Sequence, residues 1–463
     1  MRHTRFTCLL VASTALGACT DSLTGVADIS APNVSITSPV QGTLDFVGGL
    51  TITAAASDDV GVTLVQFDID GDLMSQDDRA PYTSAIIPAA NYTSGAHLLR
   101  ARARDAAGNW SPWASATVTF AGSVSLPAGF TRTTYAQGFG GLLTALAVAP
   151  DGRLFVTEIG GTIRVVRDGI LQSQPFASVA ALTGGERGLL GIALAPGFST
   201  TGYVYIYYTT SEGGAHNRIS RFAAFGDMAG STEEVLVDLP ALSGATNHNG
   251  GAIQFGPDGK LYVAVGDNAS GSLAPALTSP FGKMLRFNAD GTIPSDNPYV
   301  GQTTGVNRSI WARGLRNPYT FAFQPGTGRM HINDVGQSSW EEINLGRAGG
   351  DYGWPSTEGP TTSAAFDAPL LAYGRTGSPT LFSGASIIGA AFYNPATALF
   401  GPNYVGDYFF ADYVAGWIYR LDVDNGNRAY AFARTGANPT GLAVGLDGAL
   451  YVLLGTRVDR IAR

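Results

Sequence analysis

The chain has 463 residues, of which 45% are hydrophobic and only 14% are charged, and its formal net charge is -8. A chain of this length predicts two or more domains, and its acidity argues against a nucleic-acid-binding surface. The 61 glycines favour many short buried strands joined by tight turns, and they disfavour a coiled coil or a disordered chain.

The N-terminus is typical of an export signal. Two arginines precede an apolar run over 6–16, which is too short to span a bilayer. The sequence LGAC that ends at Cys19 resembles a bacterial lipoprotein box, in which the cysteine becomes the lipidated first residue. We therefore expect a signal peptide over 1–18, a tether over 19–32, and an exported protein held to the membrane of the cell envelope through Cys19. An ordinary secretory signal cut elsewhere is the alternative.

Residues 33–121 alternate between apolar and polar side chains, as half-buried strands do. Some seven such segments in about 90 residues predict an immunoglobulin-like β-sandwich. The turns between them resemble those of bacterial immunoglobulin-like modules of surface proteins. Four turn side chains could bind calcium between loops, although solvated turn acids are the commoner explanation: Asp58, Asp59, Asp105 and Asn109.

One motif recurs between 128 and 463. It consists of an apolar strand, a Pro-Asp-Gly turn or a variant of it, and a second apolar strand. Six units at irregular spacings of roughly 45–70 residues predict an all-β, six-bladed propeller whose blades pack against their neighbours. The strand near 131–135 is expected to close the ring with the last blade. The copies lie over 146–156, 192–207, 246–263, 321–332 and 442–452, with a looser copy between 387 and 419.

The third copy carries the most informative pair of polar residues. A polar loop places His248 just before one strand, an Asp-Gly turn reverses the chain, and the returning strand ends at Asp267. Both side chains are expected at the same end of a two-stranded ribbon, where an acid can orient an imidazole base. From this segment alone, a satisfied loop histidine beside a turn aspartate is the alternative.

Two further loops enter inner strands in the same way, and we expect them to bring Glu186 and Arg316 to the same mouth of the channel as His248. A glutamate, a histidine and an arginine around one channel can bind an anion and move a proton. Glu341 and Glu342, with nearby backbone carbonyls, could hold calcium, or they form a solvated acidic turn.

Six motifs in this region resemble, in order, those of the soluble quinoprotein glucose dehydrogenase and aldose sugar dehydrogenase family, also called glucose/sorbosone dehydrogenases. The resemblance implies a six-bladed propeller that holds pyrroloquinoline quinone (PQQ) over its axis, together with calcium, and oxidises the C1 hydroxyl of an aldose. The motifs lie over 188–191, 246–263, 282–298, 314–318, 341–345 and 351–355.

The resemblance also implies roles for single residues. His248 would take the proton from the sugar hydroxyl, Asp267 would orient that histidine, and Arg316 would polarise the quinone oxygen. Asn317 and Glu186 match positions that contact the cofactor, although Glu186 stands where glucose dehydrogenase has a glutamine.

The same resemblance implies two calcium positions. Gly336 and Gln337 match backbone-carbonyl ligands of a calcium that bridges to the quinone. Glu341, Glu342 and Tyr352 match a second, structural calcium region.

The chain departs from the family where basic residues pair with the cofactor carboxylates. Val414 stands at the position that aligns with a lysine, and the segment that ends at Thr440 stands where an arginine pair aligns. Asn247 also replaces an acid beside the proposed base, and that segment is more similar to the hedgehog-interacting-protein-like branch. Arg375 and Arg434 lie nearby in sequence without aligning.

The leading interpretation is a lipid-anchored, PQQ- and calcium-dependent dehydrogenase with an aldose as its substrate. A non-catalytic propeller that binds carbohydrate or protein is the alternative. A calcium-dependent lactone hydrolase on a similar propeller is a third hypothesis, and it would need a coordinating acid cluster on the axis.

Overall fold

The structure is a computed structural model that describes residues 28–39, 42–44, 50–85, 87, 95–120, 126–375 and 382–463. The expected signal peptide, Cys19 and most of the expected tether lie outside these residues. Among the described residues, no helix is both long enough and apolar enough to cross a membrane.

The N-terminal unit is a sandwich of two sheets around one hydrophobic core. One sheet has the strand order β1-β3-β6 and the other has the order β2-β8-β7-β4-β5. Alternation along β4 places Val65, Phe67 and Ile69 in the core, each fully buried. The strands described here are β1 Asn33–Ser38, β2 Gly42–Leu44, β3 Thr53–Ser57, β4 Val62–Ile69, β5 Asp72–Asp77, β6 Tyr82–Thr83, β7 Gly95–Asp105 and β8 Ala114–Phe120.

Two buried polar side chains of the sandwich lie on the opposite face of β4. Asp68 accepts two hydrogen bonds from the Arg100 guanidinium, at 2.8 Å each, and Gln66 accepts one from Arg102 Nε at 2.8 Å. These arginines come from the neighbouring strand β7, so the polar face of the sheet is paired rather than exposed to solvent.

From residue 126 onward the described strands form six antiparallel sheets, which are the blades of a propeller. The first three blades and the strand that precedes them are built from β9 Thr131–Gln137, β10 Leu143–Val148, β11 Leu154–Glu158, β12 Thr162–Arg167, β13 Ile170–Leu171, β14 Ala177–Ser178, β15 Leu189–Leu194, β16 Tyr203–Thr210, β17 His216–Phe225, β18 Met228–Ala229, β19 Glu234–Ala241, β20 Ile253–Phe255, β21 Leu261–Val265, β22 Lys283–Phe287 and β23 Ile310–Arg313.

The last three blades complete the ring. Their strands are β24 Pro318–Phe323, β25 Met330–Asp334, β26 Trp340–Leu345, β27 Leu371–Gly374, β28 Ile387–Phe392, β29 Tyr408–Asp412, β30 Trp417–Asp422, β31 Arg428–Arg434, β32 Pro439–Val444, β33 Leu450–Leu454 and β34 Arg457–Ala462. Strand β9 pairs antiparallel with β34, from Arg457 opposite Gln137 to Ala462 opposite Thr131. The predicted closure of the ring by the 131–135 strand is therefore confirmed.

The helices within the described residues are short, and none of them is part of a blade. They are α1 Phe198–Thr201 and three 3-10 turns at Gly271–Leu273, Gly305–Ser309 and Pro402–Tyr404. The predicted all-β class with six propeller blades after a sandwich is confirmed.

The innermost strands of the six blades surround a central channel of about 410 Å³. In five of the six inner strands the pairing register shifts near the first residues, at β10, β15, β24, β28 and β32. Such bulges bend the strand locally and redirect its side chains. They all lie at the end of the channel where the inner strands begin, which we call the bulged mouth, and the candidate site lies at this end.

Candidate functional site

The backbone of the His248 loop is held tightly against the strand end that carries Asp267. His248 has a φ of 56°, in the left-handed region that few non-glycine residues adopt. Gly266 packs directly on this loop, because a Cβ at Gly266 would lie 2.2 Å from the His248 carbonyl oxygen. A side chain at Gly266 would therefore push the two segments apart.

His248 and Asp267 form a buried hydrogen-bonded pair, as the ribbon predicted. His248 Nδ1 lies 2.7 Å from Asp267 Oδ1, and the two residues are 8% and 1% exposed. Because the carboxylate accepts, Nδ1 carries the proton and Nε2 is left with its lone pair. This arrangement suits the imidazole to accept a proton at Nε2.

The second carboxylate oxygen of Asp267 also accepts a hydrogen bond. Trp354 Nε1 donates to Asp267 Oδ2 at 2.8 Å, and the Asp267 amide donates to the Arg316 carbonyl at 2.8 Å. Trp354 lies in the long connection between β26 and β27, which returns to the bulged mouth. Asp267 is thus fixed by a histidine, an indole and the backbone, and it has little freedom to rotate away from His248.

Lys283 anchors the connection that leads from Asp267 to β22. Its side chain is fully buried, and Nζ donates to the carbonyls of Leu273, Ala274 and Phe281 at 2.7–2.8 Å. A buried ammonium needs its donors satisfied, and these three carbonyls satisfy all of them. The loop behind the acid is therefore tied to the start of its own blade's third strand.

Glu186 and Asn317 join the His248 loop to the neighbouring blades. Glu186 Oε2 accepts hydrogen bonds from the His248 amide at 2.8 Å and from Asn317 Nδ2 at 3.1 Å. Asn317 Oδ1 in turn accepts from the Gly250 amide at 3.0 Å. The structure therefore brings Glu186, His248 and Asn317 together across three blades.

Arg316 presents its guanidinium beside the same group of residues. Its Nη1 donates to the Val335 carbonyl at 2.9 Å, and its guanidinium carbon lies 5.6 Å from the centre of the Trp354 ring. Its Nε is buried and has no hydrogen-bond partner within the described ranges. The guanidinium thus contacts the Val335 carbonyl and the Trp354 ring, and its Nε–H donor remains available.

The backbone at Arg316 is fixed by Asp334, a residue that was not predicted from the sequence. Its two oxygens accept from the amides of Arg316 at 2.9 Å and Asn317 at 2.7 Å. Burial raises the pKa of Asp334 well above its ordinary value, and the negative charge of Glu342 adds to this rise. Asp334 and Trp354 both lie in or beside motifs identified in the sequence. The residues around each of them do not indicate which distant residue it contacts.

The five residues that the resemblance assigned to calcium are bonded within the protein. Glu341 is fully buried, with Oε1 at 2.8 Å from Arg375 Nη2 and Oε2 accepting from the Ile387 amide at 3.0 Å. The same Arg375 nitrogen donates to the Gly336 carbonyl at 2.9 Å. Burial raises the pKa of Glu341 to about 7, and the Arg375 guanidinium opposes this rise.

Of the other three residues, Glu342 and Tyr352 line one small cavity together with Glu358. The Gln337 amide donates to Glu358 Oε1 at 2.7 Å, Asn344 Nδ2 donates to Glu342 Oε2 at 3.0 Å, and the Tyr352 hydroxyl donates to the Leu345 carbonyl at 2.7 Å. The misfit to calcium is therefore at the bridging position, where Arg375 already occupies the Gly336 carbonyl.

The positions that depart from the family lie at the bulged mouth as well. Val414 is 62% exposed, whereas Thr440 is 6% exposed and its hydroxyl has no hydrogen-bond partner in the described part of the chain. Arg434 is engaged with the Val414 loop, because its Nη1 donates to the Ala415 carbonyl at 2.7 Å. An open apolar side chain and an unpaired hydroxyl thus stand at the two positions where the resemblance implies cations.

In the sandwich, the acids predicted to bind calcium divide into two groups. The carboxylates of Asp58 and Asp59 come together with that of Asp28, with ligand atoms within 4.8 Å of one another. Asp105 instead accepts from the amides of Gly108 and Asn109 and closes its own turn. Asn109 links the two groups, because its Nδ2 donates to Asp105 Oδ2 at 2.8 Å and to the Asp28 carbonyl at 3.1 Å.

The comparisons with known proteins agree with this two-part organisation. A family model described as Glucose / Sorbosone dehydrogenase matches residues 143–463, and a second described as Bacterial Ig domain matches residues 32–101. The first match takes in every site residue discussed in the propeller.

Several relatives match the propeller. An aldose sugar dehydrogenase of Escherichia coli is 31% identical over 54% of this chain and 70% of its own length. Quinoprotein glucose dehydrogenase B of Acinetobacter calcoaceticus is 32% identical over 46% of this chain and 50% of its own length. Mouse Hedgehog-interacting protein is 28% identical over 39% of this chain and 30% of its own length.

A solved structure supports the fold. The soluble aldose sugar dehydrogenase of Escherichia coli, in its apo-form, superposes with a TM-score of 0.64 at 25% identity. The superposition covers 72% of this chain and 99% of that structure.

Proposed function

The chain belongs to the glucose/sorbosone dehydrogenase family, and from that premise we propose that it is a PQQ-dependent dehydrogenase that oxidises the C1 hydroxyl of aldoses. The observation that carries this proposal is the buried His248–Asp267 pair beside the Arg316 guanidinium. A base oriented by an acid and a fixed positive charge are the two protein groups that hydride removal from an alcohol requires.

The polar atoms at the mouth fit a flat anionic cofactor. Arg316 Nε and the Thr440 hydroxyl are buried without partners among the described residues, and Thr440 lines the channel. Buried polar groups without partners are costly, so a ligand that pairs with them would gain their hydrogen bonds. PQQ, when bound, supplies the acceptor for the hydride that leaves C1 of the sugar.

The chain's own residues would then have separate roles in the reaction. His248 Nε2 accepts the proton of the C1 hydroxyl, while Asp267 holds the ring in place and stabilises the imidazolium that forms. Arg316 would stabilise the negative charge that develops on the cofactor when it is reduced. The sugar loses one proton and one hydride and leaves as the lactone. Glu186 and Asn317 hold the His248 loop, so they act through that residue's position.

No step is assigned to calcium, because Arg375 already occupies the Gly336 carbonyl that the resemblance gives to the bridging ion. For location we propose export and attachment to the membrane through Cys19, supported by the LGAC sequence that ends at that residue.

A second candidate function is a non-catalytic propeller that binds carbohydrate or protein. Val414 and Thr440 favour it, because they remove the cations that would pair with the cofactor carboxylates. The losses would weaken cofactor binding by about 1.5–3 kcal/mol for each missing charged hydrogen bond.

One experiment separates the two functions. Purified protein is titrated with PQQ while the absorbance of the cofactor is recorded, and a panel of aldoses is then tested for dye reduction. The enzyme predicts saturable binding and aldose-dependent reduction, and Arg316→Ala should weaken both. A propeller that only binds its ligands predicts no PQQ-dependent reduction with any sugar.

A further inference from the structure

Arg375 occupies a position at the bulged mouth to which neither the resemblance nor the comparisons assign a role. It follows the last residue of β27, and its amide donates to the Ser339 carbonyl at 3.1 Å. Its Nη2 bridges the Gly336 carbonyl at 2.9 Å and Glu341 Oε1 at 2.8 Å. The side chain is 28% exposed, so it lies at the border between the blade and the mouth.

The buried carboxylate of Glu341 favours a positive charge next to it, and Arg375 carries that charge. Its side chain is fully buried, and a carboxylate removed from water needs a counter-charge as well as hydrogen bonds. The Ile387 amide serves one oxygen, and Arg375 supplies the positive charge at the other. Removing the guanidinium would leave this negative charge without a counter-ion at the mouth.

Arg375 and Arg316 bind neighbouring carbonyls of one backbone segment. Arg316 donates to the carbonyl of Val335, and Arg375 donates to the carbonyl of Gly336. Each guanidinium also has a buried Nε that lacks a partner among the residues described. Two positive charges are therefore bonded to consecutive residues at the mouth, each with an unused donor.

The Gly336 carbonyl is the atom that the family resemblance gives to the bridging calcium. Calcium binds oxygen at about 2.3–2.6 Å, so an ion on this carbonyl would lie within about 6 Å of the guanidinium nitrogen. A divalent ion and a guanidinium at such a distance repel each other strongly in a partly buried site. The carbonyl can hold the guanidinium or the ion, and in this structure it holds the guanidinium.

We propose that Arg375 is the resident cation of the bulged mouth and takes the place of the bridging calcium, so that an anionic ligand binds between Arg316 and Arg375 without a divalent ion. The identity of that ligand as PQQ rests on the proposed function. The replacement of calcium by Arg375 rests on the contacts of Gly336 and Glu341 and is independent of the ligand.

The test compares full-length wild type and Arg375→Gln, both in a background of Asp58→Asn and Asp59→Asn that removes the sandwich acids as calcium ligands. After chelator treatment, the thermal midpoint of the propeller transition is measured with and without added calcium. We expect a larger calcium-dependent rise of the midpoint in Arg375→Gln than in the wild-type propeller, because the Gly336 carbonyl and the Glu341 carboxylate of the variant are free to bind the ion. A calcium-dependent rise in the wild type that equals that of Arg375→Gln overturns the proposal.

A PQQ titration of the same proteins provides the second readout. Wild type should bind PQQ with the same affinity in chelator and in calcium, whereas Arg375→Gln should bind about tenfold more weakly in chelator and recover with calcium. Wild-type binding that is lost in chelator and restored by calcium also overturns the proposal. If no protein binds PQQ while the midpoints behave as expected, the proposed function fails and the role of Arg375 stands.

Arg375→Lys is the matched variant, and it decides the case in which Arg375→Gln does not fold. It keeps the positive charge beside Glu341 and should respond to calcium as the wild type does in both measurements. A calcium requirement in Arg375→Lys would show that the charge at this position does not replace the ion.

Discussion

Trp354 Nε1 donates a hydrogen bond to Asp267 Oδ2 at 2.8 Å, and it joins the connection of the fourth blade to the acid that holds His248. The same indole ring lies under the Arg316 guanidinium, 5.6 Å from it. One side chain therefore fixes the relative positions of the proposed base and the proposed electrophilic group, although it is not itself placed at the reacting atoms.

Trp354→Phe should lower aldose turnover by about tenfold, since it removes one hydrogen bond to a buried carboxylate while keeping most of the ring. Trp311→Phe is the matched control, as Trp311 packs against Tyr262 away from the pair. Equal effects of the two variants on the rate would reduce Trp354 to a packing role.

His331 should make the propeller sensitive to acid. It is fully buried between Phe392 and Tyr408, both ring nitrogens lack a partner within the described residues, and burial lowers its pKa to about 3. The folded state keeps this histidine neutral while the unfolded chain protonates below about pH 6.5, so stability is lost as pH falls from there toward 3.

Replacing His331 by Phe should therefore reduce the loss of unfolding free energy between pH 7 and pH 5 by about 2 kcal/mol. Denaturant unfolding of the propeller at the two pH values measures this difference. His216→Gln is the control, because His216 keeps an acid partner in Asp238 at 3.1 Å. An unchanged pH dependence in His331→Phe would contradict the assignment.

The sandwich should be dispensable for sugar oxidation. Its sheets enclose their own core, which includes Val65, Phe67 and Leu99, and none of the proposed site residues belongs to it. A truncated protein that begins at 124 should keep the turnover and the thermal midpoint of the propeller. Loss of activity with the propeller transition intact would show that the sandwich contributes to the site.

Attachment to the membrane should depend on Cys19. Cys19→Ala should move the protein to the soluble fraction after cell lysis, because the thiol that would carry the lipid is removed. Cys8→Ala is the control and should leave the distribution unchanged, since Cys8 lies inside the expected signal peptide. Membrane association that survives Cys19→Ala would require a different anchor.

The sequence predicts the features that are local in the chain. The hairpins over 146–156 and 442–452 follow from alternation and a turn, and the contact between His248 and Asp267 follows from a single ribbon. The site's remaining contacts depend on how blades and long connections close on each other. Trp354 reaches Asp267 across 87 positions, and nothing in either segment specifies the other.

The contacts of Arg375 at the predicted calcium site also could not be predicted from the local sequence. The motif that contains Glu341 is recognisable in the sequence, but the cation that pairs with it comes from the end of a strand 34 residues later. Likewise, Asp28 joins Asp58 and Asp59 from outside the predicted sandwich, while the turn of Asp105 satisfies its own carboxylate.

The central claim is that His248 is the base of a PQQ-dependent aldose oxidation. The most direct measurement is the rate of aldose-dependent reduction at saturating PQQ for wild type and His248→Ala, with PQQ affinity measured on the same proteins. A general base contributes about 10²–10⁴-fold, so turnover should fall by at least that factor while PQQ affinity stays nearly unchanged. Equal turnover in the two proteins, or no PQQ-dependent oxidation by the wild type with any aldose, would contradict the account.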